Sequence, residues 1–166
     1  MASLLPSFET PRLTLRPRTM AELEDCLAMD RDPEVTRHLD GPWADPDAHR
    51  RFVADRITRT YPDGMGYWTV RTKTPEESFL GWVLLIPADT VGPEIEIGWR
   101  LVRAAWGRGY ATEAAAPILA HARETLGVTA IADIDAGNAG SIRVAEKIGL
   151  RRLGPVGASR YIRYSG

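Results

Sequence analysis

The chain is 166 residues long, 44% apolar and 26% charged, which is the balance of one globular domain with a real core and no room for a second. A net charge of −1 gives nucleic acid or an anionic membrane no overall attraction, and the single cysteine, Cys26, excludes an internal disulfide and fits a reducing compartment. No segment resembles a signal peptide and no apolar run is long enough to span a bilayer, so a cytoplasmic location without membrane or nucleic-acid partners is expected.

In chain order, Arg12 to Arg18 alternates Leu13 and Leu15 with polar residues and reads as a first strand. Met20 to Met29 carries Leu23, Cys26 and Leu27 at helical spacing. Asp30 to Pro46 holds three prolines and Gly41 and reads as a short helical turn and a loop. Asp45 caps a second helix that starts at Pro46 and runs to about Tyr61. Gly66 to Thr72 and Ser78 to Ile86 form a hairpin across the charged turn at 74–77. Glu94 to Val102 is the fourth strand, Tyr110 to Leu126 the third helix with Gly127 as its cap, and Val128 to Ile134 the fifth strand. A fourth helix spans Ala139 to Ile148 and stops at Gly149, and short tail strands surround Gly154-Pro155 and Gly157. This order predicts an α/β chain with a mixed sheet and helices on both faces.

Between the fourth strand and the third helix lies Trp106-Gly107-Arg108-Gly109-Tyr110-Ala111-Thr112-Glu113. A glycine-rich strand-to-helix turn presents amide N–H groups and a helix start to an anion, and glycine lets a phosphate approach the backbone. The spacing fits neither a Walker loop, which needs four residues between its glycines and then Lys-Ser/Thr, nor a dinucleotide fingerprint, which needs a third glycine where Thr112 stands.

The segment resembles the pyrophosphate loop of the GNAT superfamily of N-acetyltransferases, Gln/Arg-x-x-Gly-x-Gly/Ala, with Trp106 in the first position. That departure is typical of the branch resembling ribosomal-protein-alanine N-acetyltransferases. Glu9-Thr10-Pro11-Arg12-Leu13-Thr14-Leu15-Arg16 is similar to the opening strand of that branch, and Asn138-x-x-Ser141 with Glu146-Lys147-x-Gly149-Leu150 to its last helix. The resemblance implies a single acetyltransferase domain over 1–166, with a mostly antiparallel mixed sheet that splays between its fourth and fifth strands. It also implies acetyl-CoA as acyl donor, without a metal. Gly107, Arg108, Gly109, Tyr110, Ala111 and Thr112 would cradle the pyrophosphate, and Arg103 would add charge. Leu101, Val102 and Arg103 would border the pantetheine arm, with an amide near Leu101 polarising the thioester carbonyl.

The same resemblance places a general base on the fourth strand. Glu94 and Glu96 share one face there, and Glu96 lies nearer the splay. The tyrosine that serves many relatives as general acid is replaced by Ala145, which leaves Ser141 to meet the departing sulfur and Asn138 to contact the pantetheine amides. Asn138 also reads as a plain N-cap. Asp40, Trp43 and Trp68 (or its neighbour Tyr67) are candidates for the acceptor groove, and Trp43 reads equally as a core plug. Cys26, in the first helix and away from the expected cleft, argues for direct attack by an amine rather than a thiol relay. A protein N-terminus and a small amine are both open as acceptor, as is a homodimer through the tail strands. A silent acyl-CoA-binding module and a nucleotide binder stand as alternatives.

Overall fold

The computed structural model describes residues 4–166. Its strands are β1 (Phe8–Glu9), β2 (Leu13–Pro17), β3 (Gly66–Thr72), β4 (Phe79–Pro87), β5 (Ile95–Leu101), β6 (Ala130–Asp135), β7 (Arg151–Pro155) and β8 (Tyr161–Ser165). The helices are α1 (Leu23–Asp30), α2 (Pro33–Thr36), α3 (Pro46–Thr58), α4 (Tyr110–Ala120) and α5 (Ala139–Lys147). One sheet in the order β1-β2-β3-β4-β5-β6-β8-β7 carries them all, antiparallel except where β5 meets β6. The two-residue β1 is too short to leave a sequence pattern, so the fourth and fifth strands expected from the sequence are β5 and β6.

Side-chain alternation divides the sheet into two faces. Leu13, Leu15, Trp68, Val70, Val83, Leu85, Ile97 and Leu101 pack with Ala114, Ile118 and Leu119 of α4 and Ala145 of α5. Trp82, Leu84 and Ile86 face the other way, onto Leu23, Cys26 and Leu27 of α1 and Val53 of α3. β4 therefore serves both cores, and its run from Leu80 to Ile86 is buried throughout.

Local signals set most helix ends. Thr19 and Glu22 form a capping box before a short 3₁₀ turn leads into α1. The Asp45 side chain accepts from the amides of Asp47 and Ala48, with Pro46 in the first turn of α3. The third helix departs from the single run expected: α4 carries Pro117 and gives way to a π-helical turn from His121 to Leu126, before Gly127 ends it in the left-handed region. Pro117 offers no amide to the Glu113 carbonyl one turn earlier, yet the His121 amide still reaches the Pro117 carbonyl, and the wider π spacing begins only after it.

The feature that positions the site is the contact between β5 and β6. Their parallel pairing consists of Ile95 with Ala130 and Glu96 with Ile131. Beyond it β5 continues along β4 to Leu101, while β6 turns away along β8. A wedge-shaped gap opens, with backbone on both sides.

Candidate active site

The gap widens into a cleft of about 770 Å³ bordered by β5, β6, the glycine loop, the start of α5 and the α1–α3 face. Gly107 and Gly109 have φ of 73° and 78°, a left-handed conformation that glycine adopts without strain. A Cβ on Gly107 would meet nothing within 4 Å, so the turn is open on its outer side. Gly109 is the N-cap of α4 and supplies no side-chain acceptor, which leaves the first-turn amides of this 11-residue helix without a capping side chain. Gly107, Gly109, Tyr110, Ala111 and Thr112 all border the cleft. This is a cradle for an anion. Arg108 stands outside the lining, and its carbonyl accepts from Arg12 Nη1 at 2.9 Å.

The loop is braced from the far end of the chain. Arg12 donates to Glu113 Oε2 at 2.7 Å through Nε and to Oε1 at 2.9 Å through its amide, while Thr10 Oγ1 donates to Oε1 at 2.6 Å. The Arg12 guanidinium also covers the Tyr110 ring at 4.3 Å. Two sequence segments that each carry the family resemblance thus meet in space.

On β5, the bond from the Val102 amide to the Leu80 carbonyl fixes the parity of the ladder with β4. Even-numbered residues direct their backbone groups at β4, and the odd-numbered Ile97, Trp99 and Leu101 direct theirs at the gap. Leu101 therefore offers its amide to the gap, while its carbonyl accepts from Trp106 Nε1 at 3.0 Å. Trp106 stands where the motif has Gln or Arg, and it closes this carbonyl. The Val102 amide is spent on Leu80, and Arg103 pairs with both carboxylate oxygens of Asp32; neither residue borders the cleft. Of the three residues expected along the gap, only Leu101 turns its backbone amide into it, a distinction of strand parity.

The two candidate carboxylates separate. Glu94 is exposed and accepts from Arg163 Nη1 at 2.6 Å, outside the cleft. Glu96 lines the cleft, partly buried, as does Gly98, where an added Cβ would meet the Leu84 side chain at 3.3 Å. Burial first, then the negative charges of Asp89 and Asp133 and against the opposing pull of Arg56, pushes the Glu96 carboxyl up to about 7. Asp89 reaches this position on a turn with φ of 52°, and Asp133 is held by Arg163 through contacts of 2.8 and 2.8 Å. Nothing local in the sequence marks either aspartate as a neighbour of Glu96.

Across the gap, Asn138 Oδ1 accepts from the Ser141 amide at 3.1 Å and caps α5. Its amide nitrogen makes no hydrogen bond among the described residues, and both Asn138 and Ser141 border the cleft. The Ser141 hydroxyl makes no hydrogen bond among the described residues. Ala145 is fully buried in the core, so no titratable group occupies the position of the usual acid.

The acceptor candidates are redistributed. Trp68 is wholly buried on the α4 face and donates to the Pro6 carbonyl at 2.6 Å, whereas Tyr67 points to the α1–α3 face and lines the cleft. Neighbouring strand residues take opposite faces, so only one of the pair could reach the site. Trp43 does not line the cleft; it donates to the Leu39 carbonyl and covers His49, whose Nε2 lies 3.0 Å from the buried carboxylate of Asp30. Asp30 in turn holds Arg100 at 2.8 Å. Asp40 is exposed and pairs with Arg160. Cys26, expected to lie away from the cleft, lines its wall, with Sγ 3.9 Å from Arg18 Nη1. Its thiol is pushed up by burial and is a poor nucleophile. Among the described residues, no group of three or more His, Cys, Asp or Glu could hold a metal ion, and no helix is long and apolar enough to cross a membrane.

A splayed mixed sheet with an amide cradle at the head of α4 defines the GNAT class, and a family model described as an acetyltransferase (GNAT) domain matches residues 12–151. The chain belongs to this family. It is 36% identical over 122 residues to the uncharacterized protein YkkB of Bacillus subtilis, covering 72% of this chain and 69% of that one. It is 30% identical over 135 residues to the FsC-acetyl coenzyme A-N(2)-transacetylase of Aspergillus fumigatus, covering 76% of this chain but 56% of the fungal protein, so the chain spans little more than half of that relative. The crystal structure of an acetyltransferase from Agrobacterium tumefaciens superposes with a TM-score of 0.78 at 28% identity, over 100% of this chain and 96% of that one.

Proposed function

We propose that the chain transfers an acetyl group from acetyl-CoA to a primary amine by direct attack, without a covalent enzyme intermediate. The observation that carries this reading is Glu96: a carboxyl pushed up to about 7 beside a gap in the sheet, lining the same cleft as an amide cradle. The cradle fits a pyrophosphate, since its glycines are left-handed, its outer side is open and its amides are uncapped. Gly107, Gly109, Tyr110, Ala111 and Thr112 would hold that group, with Asn138 and the gap-facing backbone of Leu101 and Trp99 along the pantetheine arm. When bound, acetyl-CoA supplies the activated acyl carbon.

The chain's own residues then have distinct tasks. Glu96 takes the proton of the incoming ammonium, directly or through one water, so that the amine lone pair is free to attack. The Leu101 amide, aimed into the gap, withdraws charge from the carbonyl oxygen. Ser141 would hydrogen-bond the sulfur as the carbon–sulfur bond breaks, and the second proton lost by the attacking nitrogen goes to the departing thiolate, so that an amide and a free thiol result. A protein N-terminus or a small amine serves as acceptor. The buried Ala145 favours a second reading, an acyl-CoA-binding module without turnover.

Calorimetry with acetyl-CoA, free CoA and ATP, followed by an amine-dependent thiol-release assay, tests both. Tight CoA-specific binding with amine-dependent thiol release supports transfer, and binding without release supports the module. No CoA binding overturns the family-based reading of the cradle.

A further inference from the structure

The acceptor side of the cleft holds positive charge that the protein leaves uncompensated. Arg18 follows β2, and its guanidinium stacks 3.8 Å from the Tyr67 ring centre and 5.7 Å from that of Trp82. Its Nε and Nη2 are sealed from solvent and have no hydrogen-bond partner, and its one side-chain bond is the 3.9 Å contact with the Cys26 thiol. No carboxylate pairs with it among the described residues. The acids nearest the Cys26 thiol beside it are committed elsewhere: Asp30 to Arg100 and His49, Glu22 to the Thr19 cap and Arg71. Arg56 on α3 makes no ion pair among the described residues; its guanidinium lies 5.0 Å from the Phe52 ring centre. Guanidinium nitrogens shut off from water without an acceptor lose hydrogen bonds that nothing in the fold returns, and a ligand carboxylate would supply them.

Arg18, Arg56 and Tyr67 border both the main cleft and an adjoining pocket of about 220 Å³. The junction of the two spaces is thus walled by two cations and an aromatic ring, on the same face of the sheet as Glu96. We infer that the acceptor carries a carboxylate as well as its amine, and that Arg18 and Arg56 bind the carboxylate at this junction while the amine lies at Glu96. This rests on the transferase reading above and names its acceptor class. Movement of the Arg18 side chain toward the junction would bring its orphaned nitrogens onto the carboxylate oxygens, a fork-shaped donor meeting a planar acceptor. A polyamine would instead press a second ammonium against the two guanidiniums, and that repulsion selects against it.

The test uses the whole chain, acetyl-CoA and a panel of α- and ω-amino acids, each beside its amide and the corresponding amine without a carboxyl. The best carboxylated acceptor is expected to exceed its amide at least about tenfold in kcat/KM. Arg56→Gln should raise KM for it about tenfold and leave KM for the amide unchanged; because Arg56 also pulls the Glu96 carboxyl down, any shift of the rate–pH limb should fall equally on acid and amide. Arg18→Gln should likewise raise KM for the acid alone, and Arg18→Lys, which keeps the charge and much of the stacking, should restore part of the loss. Amides or polyamines used as well as the acids, with acetyl-CoA bound normally, would overturn the inference and leave the transferase intact. Loss of acetyl-CoA binding in the wild-type chain would overturn both.

Discussion

Arg12 Nε lies 2.7 Å from Glu113 Oε2, across 101 residues of sequence, and the contact ties the opening strand to the first turn of α4. Partial burial works against ionisation of Glu113, but hydrogen bonds from Thr10 and from the amide and side chain of Arg12, together with the charge of Arg12, outweigh it and hold the carboxyl below its ordinary range. Since Arg12 also binds the Arg108 carbonyl, the contact stiffens the cradle as well as the fold.

Glu113→Gln should therefore weaken acetyl-CoA binding about tenfold and lower Tm by several degrees, since a hydrogen bond to a charged group is worth about 1.5–3 kcal/mol. The folded-state pKa is depressed, so the stabilisation is present above the ordinary carboxylate range and disappears as pH falls through the folded value. The Tm difference between wild type and variant should shrink on acidification. A constant difference between pH 7 and pH 3 would remove the ionised contact from the account.

Glu96 has the opposite sign. Its folded pKa is raised from 4.5 to about 7, so between those values the folded state keeps a proton that the unfolded chain has lost. Its contribution to stability falls as pH rises through that window, and Glu96→Gln should be the more stable protein at pH 8. The rate moves the other way: kcat/KM should climb to a plateau above about pH 7, and Glu96→Gln should lose that limb with about a hundredfold of kcat, while acetyl-CoA affinity stays put. A rate–pH profile unchanged by the substitution would remove Glu96 as base.

Asn138 combines a cap with a donor, and the two can be separated. Asn138→Ala should cost about 1 kcal/mol of stability and also weaken acetyl-CoA binding. Asn138→Asp keeps the cap of α5 but has no amide to donate, so it should retain Tm and still bind acetyl-CoA weakly. Ser141→Ala should leave Tm unchanged, because only its backbone amide is used in the fold, and lower kcat about tenfold. Full activity in Ser141→Ala would end its role at the sulfur.

Cys26 stands in the cleft wall, so a covalent route has a thiol within the site and needs a direct test. Burial pushes that thiol up, away from the thiolate a nucleophile requires. Cys26→Ala should retain transfer within a few-fold, and mass spectrometry after incubation with acetyl-CoA alone should find no acetylated cysteine.

The parts of this protein that short stretches of sequence determined are those whose physics is local. Gly107 and Gly109 supply left-handed turns wherever they are placed, Asp45-Pro46 starts a helix, and the alternation of Leu13 with Leu15 or Ile95 with Ile97 assigns faces to a strand. The strand–loop–helix cradle and the mixed sheet were legible for that reason, and the position of Glu96 near the splay with them. Boundaries held to within a few residues except where the third helix passes into a π-helical turn at His121 and where β1 is too brief to show a period. Tertiary structure alone decided which carboxylate lines the cleft, because Glu94 and Glu96 have the same sequence pattern and differ only in what folds against them, Arg163 for one and Asp89 with Asp133 for the other. It also chose Tyr67 over Trp68 for the cleft, moved Trp43 onto the Asp30–His49 pair, and left Arg18 without a counter-charge. Desolvation and pairing depend on neighbours brought together by long-range packing, and no window of adjacent residues contains them.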